Sequence, residues 1–150
     1  MDENTRVIIG LRLERCHEDL RFARLLLQQG GYRQSINRAY YAAFVLTTAV
    51  LAALGIERRK HSGVESAFSQ YLVKPGLIEP EYADIYRRAR RWREDADYDD
   101  FSEFTHQDAQ SILDEIERFV ARLQRYLHEV GAIDEPDAET NRSLGGPNDS

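Results

Sequence analysis

The spacing of apolar residues predicts an all-α protein, an up-and-down bundle of about five helices. Three observations carry that prediction. Apolar side chains recur at alternating steps of three and four through most of the chain. The run from Ala39 to Ile56 carries no charge over 18 residues. The two-residue alternation of a half-buried strand persists nowhere. At 150 residues and 42% hydrophobic, the chain has enough apolar material for one core and too much for a disordered protein.

The first helix follows from Ile9, Leu13, Cys16, Leu20, Ala23 and Leu27, one apolar face ended by Gly30-Gly31. The second runs from about Ser35 to Gly55 and contains the uncharged stretch. That stretch sits at the short limit of a membrane span, roughly 17–25 residues. It is diluted by Ala, Tyr and Thr, and the amphipathic helices around it need something to pack on. It therefore reads as the buried central helix, with no membrane contact. The third helix opens on Ser62-Gly63-Val64-Glu65, a capping-box pattern, and stops at Pro75-Gly76. Its inner face is Val64, Phe68, Tyr71 and Leu72.

The fourth helix starts near Pro80 and carries the stripe Tyr82, Ile85, Ala89, Trp92 and Ala96. Its acids Glu79, Glu81 and Asp84 precede its arginines, the order the helix dipole favours. The fifth begins at Thr105 with Asp108 three residues on. It keeps the same rhythm from Ala109 to Val130 and closes at Gly131. The bundle should thus occupy residues 1–131. Residues 132–150 hold five acids against Arg142 and are expected to be a disordered acidic tail. That tail accounts for −4 of the net charge of −6, which leaves the bundle nearly neutral. Cys16 is the single cysteine, so no disulfide framework forms within the chain. The segment MDENTRVIIG has no basic stretch leading into an apolar one. Both features point to the cytoplasm.

Few residues carry chemistry. His17, His61, His106 and His128 include no pair three or four apart, so no helical metal pair is present and no metal is expected. No phosphate loop or nucleophile elbow occurs, and no cofactor is implied. Basic residues are 18 Arg against 2 Lys. Arginine is the better fork for phosphate, although a GC-rich genome gives the same bias. The sharpest anomaly is the segment from Arg87 to Arg93, with five arginines in seven positions, followed by five acids between Glu94 and Asp100. It reads either as a phosphate-gripping surface or as a solvated face with Arg90–Glu94, Arg91–Asp95 and Arg93–Asp97 pairs. Trp92 falls on the apolar stripe and reads as core. The second anomaly is Asn37 and Arg38 at the mouth of the most apolar helix, followed by adjacent Tyr40 and Tyr41. Those tyrosines either fill the core or meet a ligand. His61, at the head of the third helix, reads as a loop residue or as a neutral-pH acid–base.

The segment Ser35-Ile-Asn-Arg-Ala-Tyr-Tyr-Ala-Ala-Phe44, then Gly55, then His61-Ser-Gly-Val64 with Phe68, then Arg93 with Asp97-Tyr98, resembles the HEPN superfamily. The resemblance covers roughly residues 5–130 in order and spacing. It is similar above all to small bacterial HEPN proteins encoded beside a minimal nucleotidyltransferase. It implies a helical bundle, a homodimer and, in many members, a metal-independent endoribonuclease that acts as a toxin silenced by a nucleotidyltransferase partner. The family's catalytic signature is an Arg followed, four to six residues later, by a His. Here Arg93 occupies its place and Tyr98-Asp99-Asp100 stands where the His would be. Tyr98 is the nearest counterpart of a tyrosine that such partners nucleotidylate. On this reading Arg93 is the cation, His61 a substitute acid–base brought in by packing, and Asp97 an orienting or weakly basic group. Asn37, Arg38, Tyr41, Arg90 and Tyr98 would bind RNA or nucleotide. The other readings are a catalytically silent nucleotide- or RNA-binding module and a helical protein whose function is its interface.

Overall fold

The computed structural model describes residues 1–134. Five α-helices follow one another: α1 (Glu3–Gln28), α2 (Tyr32–Ala53), α3 (His61–Phe68), α4 (Pro80–Tyr98) and α5 (His106–Glu129). The chain is all-α, as its periodicity dictates. α3 continues into a π-helical turn, Ser69–Val73. Ala132 is buried beyond the end of α5 and Ile133 packs against the core, so contacts with the bundle continue after the turn at Gly131, whose φ of 75° suits glycine. The stretch 135–150, where the acidic tail was expected, lies outside the described residues.

α2 is the hub, touching α1, α3, α4 and α5. It begins at Tyr32, three residues before the expected start, with Gly31 at its cap position and Arg33 on its first turn. Arg33 donates to the carbonyls of Ala96 at 2.6 Å, Asp99 at 3.2 Å and Ser102, which satisfies the open end of α4. The helix is long and apolar enough to cross a membrane, yet 61% of its apolar window is buried inside the bundle.

α2 has two working faces. Ser35, fully buried, donates to the Ala23 carbonyl at 2.8 Å, and Arg38 reaches Asp19 at 3.2 Å, so this side meets α1. By helical spacing Ala42 and Ala49, both 0% exposed, lie on that side and leave room for a close approach. Asn37 and Tyr40 meet α4 instead. Below them the core is built on four rings, one from each of four helices. Tyr86 lies 5.9 Å from Tyr40, 6.1 Å from Phe68 and 5.8 Å from Phe119.

Three local expectations change. Ser62 does not cap α3: the cap position lies two residues earlier, at Lys60, with no side-chain cap, and Glu65 instead binds Arg90 at 2.6 Å. Trp92 is half-buried against Phe104, at 5.6 Å between ring centroids. The stripe of α4 is instead Ile85, Tyr86, Ala89, Arg93 and Ala96, and so buries an arginine. The box of Thr105 and Asp108 forms as read, with bonds of 3.1 and 2.9 Å.

Two substitutions probe this packing. Phe119→Ala opens a cavity under the four rings and should cost about 3–5 kcal/mol. Ala42→Leu overfills the contact with α1 and should cost about 1–3 kcal/mol. Urea unfolding followed by circular dichroism measures both.

Candidate functional site

α2 and α4 run antiparallel: Arg33 reaches the end of α4, Asn37 meets Asp97, and Tyr40 meets Arg93 one turn further back. Each contact follows from the 3.6-residue repeat on both helices. α3 enters from the side and lays the ring of His61 flat on Phe44, with 4.2 Å between centroids and 13° between planes. The same imidazole stacks on Tyr40 at 5.7 Å, and Tyr40 Oη lies 2.7 Å from His61 Nδ1.

Arg93 is only 8% exposed, an unusual place for a full charge. Its guanidinium carbon lies 4.8 Å from the centre of the Tyr40 ring, and Nη1 reaches Asp97 Oδ2 at 3.4 Å. Its Nε is buried without a hydrogen-bond acceptor among the described residues. An unanswered N–H on a buried cation is a ready donor for an anion. Arg93 borders a cleft of about 710 Å³ between α4 and the α3–π-turn segment, shared with His61, Ser62, Glu65, Lys74 and Arg90. On its other side lies a second cleft of about 640 Å³, lined by Arg33, Asn37, Arg38, Asp97 and Tyr98.

The residues singled out in the sequence therefore converge. Asn37 Nδ2 donates to both Asp97 oxygens at 3.1 and 3.2 Å, while its Oδ1 accepts from Arg38 at 3.0 Å. Arg38 also lies over the Tyr41 ring at 5.2 Å, and Tyr41 meets the edge of His61 at 5.6 Å. Tyr98 is 76% exposed at the rim. In the arginine block, Arg90–Glu94 at 3.2 Å and Arg93–Asp97 at 3.4 Å form as spaced, whereas Arg91 and Asp95 make no ion pair among the described residues. Arg87 and Arg88 face out to Asp84 and Glu115.

Four participants take roles that the sequence did not assign them, Phe44 among them although it closes the Ser35–Phe44 segment. Glu65 holds Arg90, Phe44 supports His61, Asp19 anchors Arg38, and Tyr86 backs Tyr40 with its ring, 5.9 Å away between centroids. Only the SGVE segment marked Glu65, and it marked it for a different role. Among the described residues no three His, Cys, Asp or Glu gather as a metal site.

Comparison with known proteins fits this arrangement. The HEPN domain family model matches residues 9–126, most of the chain. The chain belongs to the HEPN family. A UPF0332 protein of Thermotoga maritima is 35% identical over 132 residues, covering 83% of this chain and 99% of that one. “Putative toxin MJ0605” of Methanocaldococcus jannaschii is 34% identical over 130 residues, 87% of this chain and 96% of that one. “Putative toxin MJ0142” of the same organism is 27% identical over 115 residues, 77% and 78% of the two chains. This HEPN protein is thus similar, over most of its length, to proteins carrying toxin names.

Burial, and after it the Arg93 charge, disfavours the imidazolium of His61 and holds its pKa below the ordinary value. Because the folded value lies below the unfolded one, about 6.5, the unfolded chain binds more protons in that window. Stability therefore falls as pH drops from about 6.5 through the folded value. An NMR titration of the His61 ring protons should place the midpoint below about 6.5. Arg93→Gln should raise that midpoint.

Proposed function

We propose that this HEPN protein is the toxin of a toxin–antitoxin pair with a nucleotidyltransferase partner, and that its cleft cuts RNA without a metal. The observation that supports the reading is the meeting of His61 and Arg93 on one phenol: two residues from different helices, both resting on Tyr40, beside a cleft wide enough for a nucleotide. The signature His missing after Arg93 in sequence has a spatial substitute.

Cleavage needs a base for the 2′-hydroxyl and a cation for the phosphorane. In this role His61 Nδ1–H donates to Tyr40 Oη, and Nε2 keeps its lone pair. Nε2 takes the 2′-hydroxyl proton, the 2′-oxygen attacks phosphorus, and the bond from phosphorus to the 5′-oxygen breaks. Water protonates the leaving oxygen, and the products are a 2′,3′-cyclic phosphate and a 5′-hydroxyl. Arg93 and Arg90, which both line the cleft, hold the non-bridging oxygens. Asp97 orients Arg93, and Asn37, Arg38 and Tyr41 hold the flanking nucleotide. The depressed His61 pKa keeps the base neutral down to mildly acidic pH. Tyr98, with its phenol open to solvent, is the group a nucleotidyltransferase would modify to silence the toxin. The reading carries a homodimer and a cytoplasmic place of action.

A second reading rests on the carboxylates. Glu65, Glu94 and Asp97 already engage Arg90 and Arg93, which suits a silent module that binds nucleotide or RNA without cutting it.

The test is a cleavage assay on total RNA in EDTA with end-group analysis. Cleavage to cyclic phosphates, reduced about a hundredfold or more by His61→Ala and by Arg93→Ala, is expected. RNA binding with a steep salt dependence and no cleavage would select the silent module. Incubation with a minimal nucleotidyltransferase and ATP should add a nucleoside monophosphate mass to the wild type and none to Tyr98→Phe.

A further inference from the structure

α1 carries two seams. The inner one, Ile9, Cys16, Leu20, Ala23 and Leu27, is buried in the bundle. The outer one is Ile8, Leu11, Arg15, Glu18, Phe22 and Leu25, stepping 3,4,3,4,3, the spacing of coiled-coil core positions. At about 100° per residue the two seams lie roughly 140° apart around the helix. Nothing among the described residues covers the outer one: Ile8, Leu11, Phe22 and Leu25 are 41%, 55%, 42% and 43% exposed, and Val7 beside them 51%. Arg15 and Glu18, at its centre, are exposed and join no ion pair among the described residues.

The order of these residues names the occupant. Turn the helix end for end about a two-fold axis between positions 16 and 17. Ile8 then meets Leu25 of a second copy, Leu11 meets Phe22, and Arg15 meets Glu18. Every apolar layer faces an apolar layer and each central charge faces its opposite. Of the residues flanking the seam, Glu14 falls beside Arg21 of the second copy, again opposite in sign. A parallel pairing would instead stack Arg15 on Arg15 and Glu18 on Glu18. We infer that α1 is the dimer face of this protein, an antiparallel two-helix seam in which two copies pair through six layers, the central two ionic. This rests on the homodimer reading above and adds its surface and register.

Cysteines at positions 11 and 22 test the register. The two-fold brings residue 11 of one copy to residue 22 of the other. It leaves the two residues 11 separated by about 16 Å along the helix, at 1.5 Å per residue, beyond disulfide reach. The native thiol does not interfere: Cys16 is buried, and burial pushes its pKa up to about 12. Under mild oxidation Leu11→Cys/Phe22→Cys should run as a covalent dimer, and each single variant as a monomer. The paired charge swap keeps the fold out of question, since both residues lie on the surface. Arg15→Glu alone should raise the dimer dissociation constant at least about tenfold in sedimentation equilibrium. Adding Glu18→Arg should bring it back to near wild type. A dimer in solution that neither cross-links through the double variant nor responds to the swap overturns the α1 face and leaves the homodimer standing. A monomeric wild type overturns both.

Discussion

Arg93 keeps a full positive charge at a position with 8% of its surface exposed, where Asp97 at 3.4 Å and the face of Tyr40 answer it. A cation removed from water must find compensation in its surroundings, and most of the candidate site supplies it. Tyr40 gives its ring to the guanidinium and its hydroxyl to His61. Asp97, which balances the charge, is held from the other side by Asn37, and Asn37 in turn fixes Arg38. Removing Arg93 would therefore take from Asp97 its ion-pair partner and from Tyr40 the cation over its ring.

That network explains why an aromatic cluster lies directly beneath the clefts. Tyr40, Phe68, Tyr86 and Phe119 come from four different helices, and their mutual contacts fix where α3 crosses α2 and α4. The cleft at His61 is the gap left where the short α3 and its π-helical turn pass over α4. A π-turn widens the backbone spiral, a feature found often at functional sites. The carboxylates of Glu65 and Glu94 pair with Arg90, while Arg93 Nε has no acceptor among the described residues. The site thus combines a rigid apolar floor with a cationic wall.

Part of this was readable from the chain alone, because it depends on local repeats. The inner face of α1, the uncharged α2 and the box of Thr105 and Asp108 each follow from spacings of three and four residues. Asn37, Arg38, His61 and Arg93 were marked as chemically active by residue type and by the resemblance they share. Other features escaped because they are decided across distance. Glu65 had two possible roles, and only the approach of α4 chose ion pairing with Arg90 over capping α3. Trp92 and Arg93 are neighbours on one helix, and a small rotation of α4 decides which of them turns inward.

The sequence by itself determined the all-α class, the number of helices and the central place of α2, since periodicity and the absence of charge act within a helix and need no partner. Only the tertiary structure decided that His61 and Arg93, 32 residues apart, share Tyr40. It likewise decided that Asn37 and Asp97 close one network and that the outer seam of α1 stays open to solvent. Those outcomes depend on the angles at which helices cross, and crossing angles are set by the packing of whole faces against one another rather than by any single stretch of residues.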